Sequence, residues 1–283
     1  MAICQLKRIK SEFNCSIEPI IINSMFWNMF VQYMADRGLK YSTITTVKAQ
    51  ILSCLNWASK YSVKLSPSYN EVEIPKYNPL KIALTPDDVS HIYHFDLEKI
   101  LIKTKKGKVK KLHQKRINTL TMVKDMFVLS CNLGQRYSDI QRISIDCFKN
   151  GYFSIVQQKT GNKCKVDLTS MTIDKRTTYE ILEKYGYSAP FKGHISNYNR
   201  YLKELLVLIG GSFVEEIKCD NKINGIIVPR IVRKYMLITS HSARRSFATI
   251  NTIRNVPRQS IMRATGHSTE ESFVKYICYE DEV

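Results

Sequence analysis

The chain has no Cys-x-x-Cys pair and no short cluster of cysteine with histidine; its eight cysteines lie at 4, 15, 54, 131, 147, 164, 219 and 278. Structural zinc needs closely spaced ligand pairs, so no zinc finger and no metal site are expected. Thiols dispersed in this way read as reduced and mostly buried, with packing as their role. Long apolar runs are missing too. LLVLI at 205–209 and IEPIII at 17–22 are far too short to cross a bilayer, and MAICQLKRIK lacks the apolar centre of a secretion signal. A soluble cytoplasmic protein without membrane association is therefore expected. There is no P-loop and no cluster of carboxylates, which argues against nucleotide or metal chemistry. No internal repeat or low-complexity tract appears. The scarcest commodity is negative charge: 25 Asp and Glu face 43 Lys and Arg, a formal net charge of +18. Such an excess repels copies of itself and favours a polyanionic partner, nucleic acid first.

What is present is a globular composition, 44% hydrophobic and 24% charged, which excludes disordered and collagen-like classes. A length of 283 residues suffices for one large domain or two ordinary ones, each with its own core. The first strong helical period follows Ser24, with Phe26, Met29, Phe30, Tyr33 and Met34 on one face and Gly38 as the stop. Ser42 is expected to cap a second helix whose stripe is Ile44, Val47, Ile51, Leu55 and Ala58. Between about 61 and 86 the period fails and four prolines appear, as in an interdomain linker. Thr85 and Pro86 then restart a helix as N-cap and first helical residue. These breaks predict two domains, 1–80 and 81–283. In the second, TMVKDMFVLSCNLG (121–134) reads as a buried helix closed by Gly134. GYFSIVQQKTGNKCKVDLTS (151–170) reads as two strands joined by a tight turn at TGN. From about 172 onward the chain reads as largely helical. The fold class expected is mostly α with a small antiparallel β-sheet. The basic run KTKKGKVKKLHQKR (103–116) suits either a solvated loop or direct phosphate contact, and the latter would make binding salt-dependent.

Four stretches place polar residues where packing alone would not require them. LGQRYSDI sets Arg136 directly after a helix end, where pairing with Asp139 is the ordinary alternative. QQKTGNK sets Lys159 at a hairpin turn, with Lys163 four residues on. TSHSARRSFAT puts His241 and Arg244 at i and i+3 near a helix start begun by Thr239 or Ser240, a face suited to anions. TGHSTEESFVKY ends the set: Ser268 and Glu271 have capping-box spacing, leaving His267 outside a helix that carries Tyr276 about two turns in. Tyr279 falls on nearly the same face, so periodicity does not choose between the tyrosines.

Taken together and in order, these stretches resemble the tyrosine recombinase (integrase) family. Its catalytic set is an arginine after a glycine-containing turn, a hairpin lysine, H-x-x-R, a histidine in a GH motif and a tyrosine nine residues later. Counted from His267, the ninth residue is Tyr276. The chain has LGQR and TGH where the family often has TGLR and LGH, changes that keep the catalytic residue types. The resemblance implies an N-terminal helical core-site DNA-binding domain followed by an α+β catalytic domain. Arg136, Lys159, His241, Arg244, His267 and Tyr276 are its catalytic residues, and KTG favours Lys159 over Lys163. The two arginines would fork onto phosphate oxygens, His267 would add a donor, His241 would move the nucleophile's proton, and the lysine would act as general acid. A 3′-phosphotyrosyl link conserves bond energy, so no cofactor is expected.

The resemblance further implies double-stranded DNA recombination sites as partner, with a free monomer that forms a tetramer on synapsed DNA. Accessory DNA-bending proteins of the host or the element are also expected, as is a nucleoid-associated location. Lys40, Tyr41, Thr43 and Lys48, at the start of the second helix, are the expected DNA-binding residues of the first domain. A phage or conjugative mobile element is the expected setting. With seven residues after Tyr276, exchange of a C-terminal segment between neighbours is not expected, nor is an arm-binding domain before residue 20. Two other readings stand beside this one: relaxation of DNA in the manner of a type IB topoisomerase, and DNA binding without catalysis.

Overall fold

A computed structural model describes residues 2–12, 17–71, 74, 80–103, 107, 109–223 and 226–278. The chain divides into two compact units, one of residues 1–79 with 218–230, the other of 80–217 with 231–283. The first contains α1 (Ala2–Glu12), α2 (Ser24–Asp36) and α3 (Tyr41–Ser59). Trp27, Phe30 and Met34 of α2 meet Ile44, Val47, Ile51 and Leu55 of α3, all buried, so both expected stripes form its core. Ala58 is only half-buried. The ends differ from expectation. Asn23 caps α2 by accepting from Phe26 N at 2.9 Å. Lys40 occupies the N-cap of α3 without a side-chain bond, and Ser42 lies inside the first turn. α1, polar on most positions, had no sequence signal strong enough to be read.

In the second unit α4 (Pro86–His94) opens as expected, with a reciprocal capping box between Thr85 and Asp88. The short pair β1 (Leu101–Lys103) and β2 (Val109–Lys111) flanks the basic run, whose residues 104–106 and 108 lie outside the described residues. α5 (Gln114–Leu133) is the central helix. Every residue from Asp125 to Leu133 is buried, as befits a helix enclosed on all sides. Its buried polar groups are bonded: Asn132 donates to Val128 O and accepts from Asp174 N, and Asp125 accepts from Lys184 and Tyr185.

The one-turn α6 (Tyr137–Ile140) leads to a three-stranded antiparallel sheet of β3 (Phe148–Lys149), β4 (Tyr152–Val156) and β5 (Lys163–Asp167). Val156 pairs with Lys163, so the β4–β5 connection runs from 157 to 162 and is wider than the tight turn expected. Then come α7 (Lys175–Lys184), α8 (Ile195–Ile209), α9 (Lys234–Leu237), α10 (Ser240–Ile253), α11 (Arg258–Thr265) and α12 (Glu270–Val274); between α8 and α9 the chain forms the paired strands β6 (Glu216–Ile223) and β7 (Ile226–Arg233), most of whose residues, 218–230, are counted with the first unit. β6 and β7 are the strands that the expectation of a largely helical part from about 172 onward did not foresee. Their short alternations, broken by Pro229 and by Lys, Asn and Asp, mimic neither a clean helix nor a clean strand. The cysteines need correction too: of the seven described, Cys131 and Cys164 are buried, while Cys4 and Cys54 are exposed. Among the described residues, no helix is long and apolar enough to cross a membrane.

α10 packs on α5 and is likewise buried on most sides. The two approach so closely at Gly134, which ends α5 in the left-handed conformation (φ +64°), that a Cβ there would lie 2.4 Å from the Phe247 ring. Gly134→Ala is therefore expected to cost roughly 2–4 kcal/mol by strain and overlap together. Urea unfolding that matched the parent within error would contradict this packing.

Candidate active site

Arg244 is the largest polar side chain in the second unit's interior, with 0% exposure. It stands one turn into α10, whose N-cap is Thr239, and shares a face with His241. Two helices end beside it, both in left-handed glycines: α5 at Gly134 and α11 at Gly266. Their terminal carbonyls lack partners within their own helices and sit at the negative ends of the helix dipoles. Arg244 Nη1 donates to Gly134 O at 3.1 Å, and Nη2 donates to Thr265 O. Its Nε, also buried, has no hydrogen-bond partner among the described residues. Burial first, and the Arg136 charge second, pull its pKa down to about 10, which leaves it charged near neutral pH.

Nη2 also lies 3.4 Å from His267 Nε2. Thr265 Oγ1 donates to Ile261 O at 2.6 Å, so at 2.8 Å from His267 Nδ1 it acts as acceptor. That fixes the tautomer: Nδ1 carries the proton, and Nε2 offers its lone pair to Arg244. Burial, and then the charges of Arg244 and Arg136, push the His267 pKa down to about 3. In this arrangement the imidazole donates from Nδ1 to Thr265 Oγ1, and its Nε2 accepts from Arg244.

Tyr276 completes the group. His241 Nε2 and Tyr276 Oη are 2.6 Å apart. The tyrosine ring lies 4.4 Å from the His267 ring, centroid to centroid, and Arg244 Cζ is 5.5 Å from its centroid, within cation–π range. His241 is held neutral, its pKa pushed down to about 4 by burial and then by Arg245, Arg244, Arg136 and Lys159. The segment bearing Tyr276 is fastened on both sides: Lys81 Nζ donates to Lys275 O, and Cys278 N donates to Thr249 Oγ1, each at 3.1 Å. α12 is shorter and starts later than expected. Thr269, not Ser268, is its N-cap, and the helix ends at Val274, so Tyr276 sits in the turn beyond it. Tyr279 lies outside the described residues.

Arg136 is half-buried at the N-terminus of α6 and donates from Nη1 to Gln157 Oε1. The alternative pairing with Asp139 does not form. That carboxylate instead accepts from Gln158 N at 2.8 Å and lies 3.6 Å from Arg142. Lys159 is exposed in the β4–β5 connection, whereas Lys163 is the first residue of β5, opposite Val156. The structure thus brings Arg136, His241, Arg244, His267 and Tyr276 into one group and leaves Lys159 on the loop beside it. Lys40, Tyr41, Thr43 and Lys48 belong to the other unit. Lys40 is exposed, the other three are half-buried, and Tyr41 packs partly on the apolar core there. Sequence reasoning passed over Gln135, Gln157 and Thr265, and weighed Asp139 only as a partner of Arg136. Gln157 was in view within QQKTGNK, but a buried amide has no pattern that marks it.

No protein-family model matches the chain, and no curated protein matches it in sequence. Solved structures do match in fold. A lambda integrase dimer bound to a COC′ core site superposes with a TM-score of 0.64 at 16% identity, over 100% of this chain and 88% of that one. The Tn1549 transposon integrase in complex with circular intermediate DNA gives 0.60 at 13% identity, over 98% and 95%. The XerH site-specific recombinase bound to a palindromic difH substrate gives 0.59 at 14%, over 92% and 68%. All three are tyrosine recombinases, and this chain has their fold: mostly helical, with small antiparallel sheets. The resemblance read from the motifs is borne out at that level.

The depressed histidines set a sign for acid sensitivity. An unfolded chain protonates both imidazoles near pH 6.5, while the folded one resists until about 4 for His241 and about 3 for His267. In that window the unfolded state holds more protons, so stability is expected to fall as pH falls from about 6.5 to about 4. Urea midpoints measured across the window should drop for the parent and drop less for a His241→Asn, His267→Asn double variant. Equal slopes in the two proteins would contradict the burial of neutral imidazoles.

Proposed function

We propose that the chain is a site-specific DNA recombinase that cuts and rejoins strands through a 3′-phosphotyrosyl intermediate at Tyr276. The observation that carries this is the 2.6 Å pair of His241 and Tyr276 set against Arg244 and His267 within a tyrosine recombinase fold. Tyr276 Oη attacks the scissile phosphorus and passes its proton to the lone pair of the neutral His241. The bond from phosphorus to the 5′ oxygen breaks, and that oxygen takes a proton from Lys159. The products are a phosphotyrosyl ester at the 3′ end and a free 5′ hydroxyl. A new 5′ hydroxyl reverses the steps, with no cofactor.

Negative charge grows on the non-bridging oxygens as five-coordinate phosphorus forms. Arg136 and Arg244 meet it with guanidiniums that remain charged at working pH. Arg244 has both terminal nitrogens committed to carbonyls, which leaves Nε to donate. The Tyr276 ring lies over this guanidinium, 5.5 Å from Cζ to its centroid, so the nucleophile and the anion-binding group share one side of the site. An arriving anion also favours protonation of His267, which turns Nε2 from acceptor to donor. Lys159 is favoured as general acid over Lys163 because its charge acts on His241, whereas Lys163 sits at the strand edge.

The basic charge and the first unit fit a DNA-binding role, with residues 1–80 as the core-site domain and Lys40, Tyr41, Thr43 and Lys48 near phosphates. The lambda integrase tetramer bound to a Holliday junction is the precedent for a tetramer on synapsed duplexes. The same precedents favour integration of a mobile element over topoisomerase-like relaxation.

Two measurements test the reading, both on nicked duplexes tiled across the DNA on either side of the gene. Tyr276→Phe should bind duplex as the parent does yet form no adduct that survives denaturant, while Tyr279→Phe should form it normally. An adduct on the Tyr276→Phe protein would overturn the assignment. Arg244→Lys keeps the charge but loses the Nε donor and the two-carbonyl anchorage that aims it, so cleavage should fall by roughly 10² or more. Cleavage near the parent rate would count against a direct phosphate role.

A further inference from the structure

Gln157, the first residue beyond β4, is 1% exposed, and its amide reaches three parts of the site. Oε1 accepts from Arg136 Nη1 and from Thr160 Oγ1, the latter at 2.9 Å. Nε2 donates to Thr265 O at 2.9 Å and points to Gln135 Oε1 at 3.5 Å. Chemistry fixes which way the amide faces. A guanidinium only donates and a carbonyl only accepts, so the opposite orientation would break both bonds. Thr160 adjoins Lys159, and Thr265 lies two residues before His267. One neutral side chain thus ties Arg136, the lysine loop and the histidine turn to fixed mutual distances. Packing holds it there, since a Cβ on Gly266 would fall 2.7 Å from Gln157 Nε2. A buried amide is costly unless its bonds are made, and here both ends are satisfied by parts of the reaction site.

We infer that Gln157 is a positioning residue for strand cleavage, acting through Arg136. It aims the guanidinium by accepting a single hydrogen bond and, being uncharged, leaves the full positive charge for the phosphate. A carboxylate at the same place would hold Arg136 as firmly but would neutralise it, and would repel Thr265 O. The inference rests on the recombinase reading, and the experiment separates the two.

Single-turnover cleavage of the nicked flanking duplexes is measured for the parent, Gln157→Met, Gln157→Glu, Arg136→Ala and Gln157→Met with Arg136→Ala. Duplex affinity and thermal melting are followed in parallel. Gln157→Met should cleave about 10- to 100-fold more slowly, the scale for a misplaced catalytic group, with duplex affinity unchanged. In the Arg136→Ala background the same substitution should cause little further loss, since its target is gone. A parent-like rate in Gln157→Met, or an equal factor lost in both backgrounds, would overturn the inference. Should Gln157→Met not fold, the isosteric Gln157→Glu decides: slowed cleavage with normal melting supports the role, and a parent-like rate refutes it. A parent chain that leaves every duplex uncut contradicts the recombinase reading itself.

Discussion

The site depends on keeping the Arg244 guanidinium charged while it is wholly out of water. A buried charge of this kind costs several kcal/mol unless its hydrogens are bonded. A carboxylate partner would supply those bonds, but it would also cancel the charge. The fold instead supplies backbone carbonyls from Gly134 and Thr265 at the ends of α5 and α11, where helix dipoles present their negative poles. Carbonyls solvate the cation and leave its net charge in place. Arg136 adds a second positive charge, and its effect is visible in the lowered pKa of Arg244, His241 and His267. Two cations that repel one another across a covered site favour the arrival of an anion.

That constraint explains features remote from the chemistry. Two helices must stop sharply within reach of one guanidinium, which is why both end in left-handed glycines. Gly134 lies so close to Phe247 of α10, and Gly266 to Gln157 and Cys164, that neither position has room for a side chain. Burial, and after it the same cations, hold His241 neutral, so it can accept the proton of the phenol 2.6 Å away. His267 then adopts the tautomer that the Thr265 hydroxyl dictates.

Much of this was legible in the residues, and the rest was not, for physical reasons. The stripe of Ile44, Val47, Ile51 and Leu55, the Thr85–Pro86 start and the Gly134 stop are local signals, and local signals survive folding. His241 and Arg244 fall on one face because helical spacing alone puts them there. Tyr276 could be counted from His267, but its place in a turn beyond α12 could not, because Thr269 and Ser268 are equally good caps. The carbonyls that hold Arg244 have no letter in the sequence. Gln157 shows the same limit: its value lies in which way one amide faces, and tertiary contacts alone decide that. β6 and β7 escaped because their apolar residues follow neither period cleanly.

Tyr276, seated among these cations, is the residue proposed to become joined to DNA. The most direct test is mass spectrometry of the denatured adduct after nuclease and trypsin digestion. Fragment ions should place the residual nucleotide on Tyr276 of the C-terminal peptide. Nucleotide on Tyr279, or on a tyrosine elsewhere in the chain, would contradict the account.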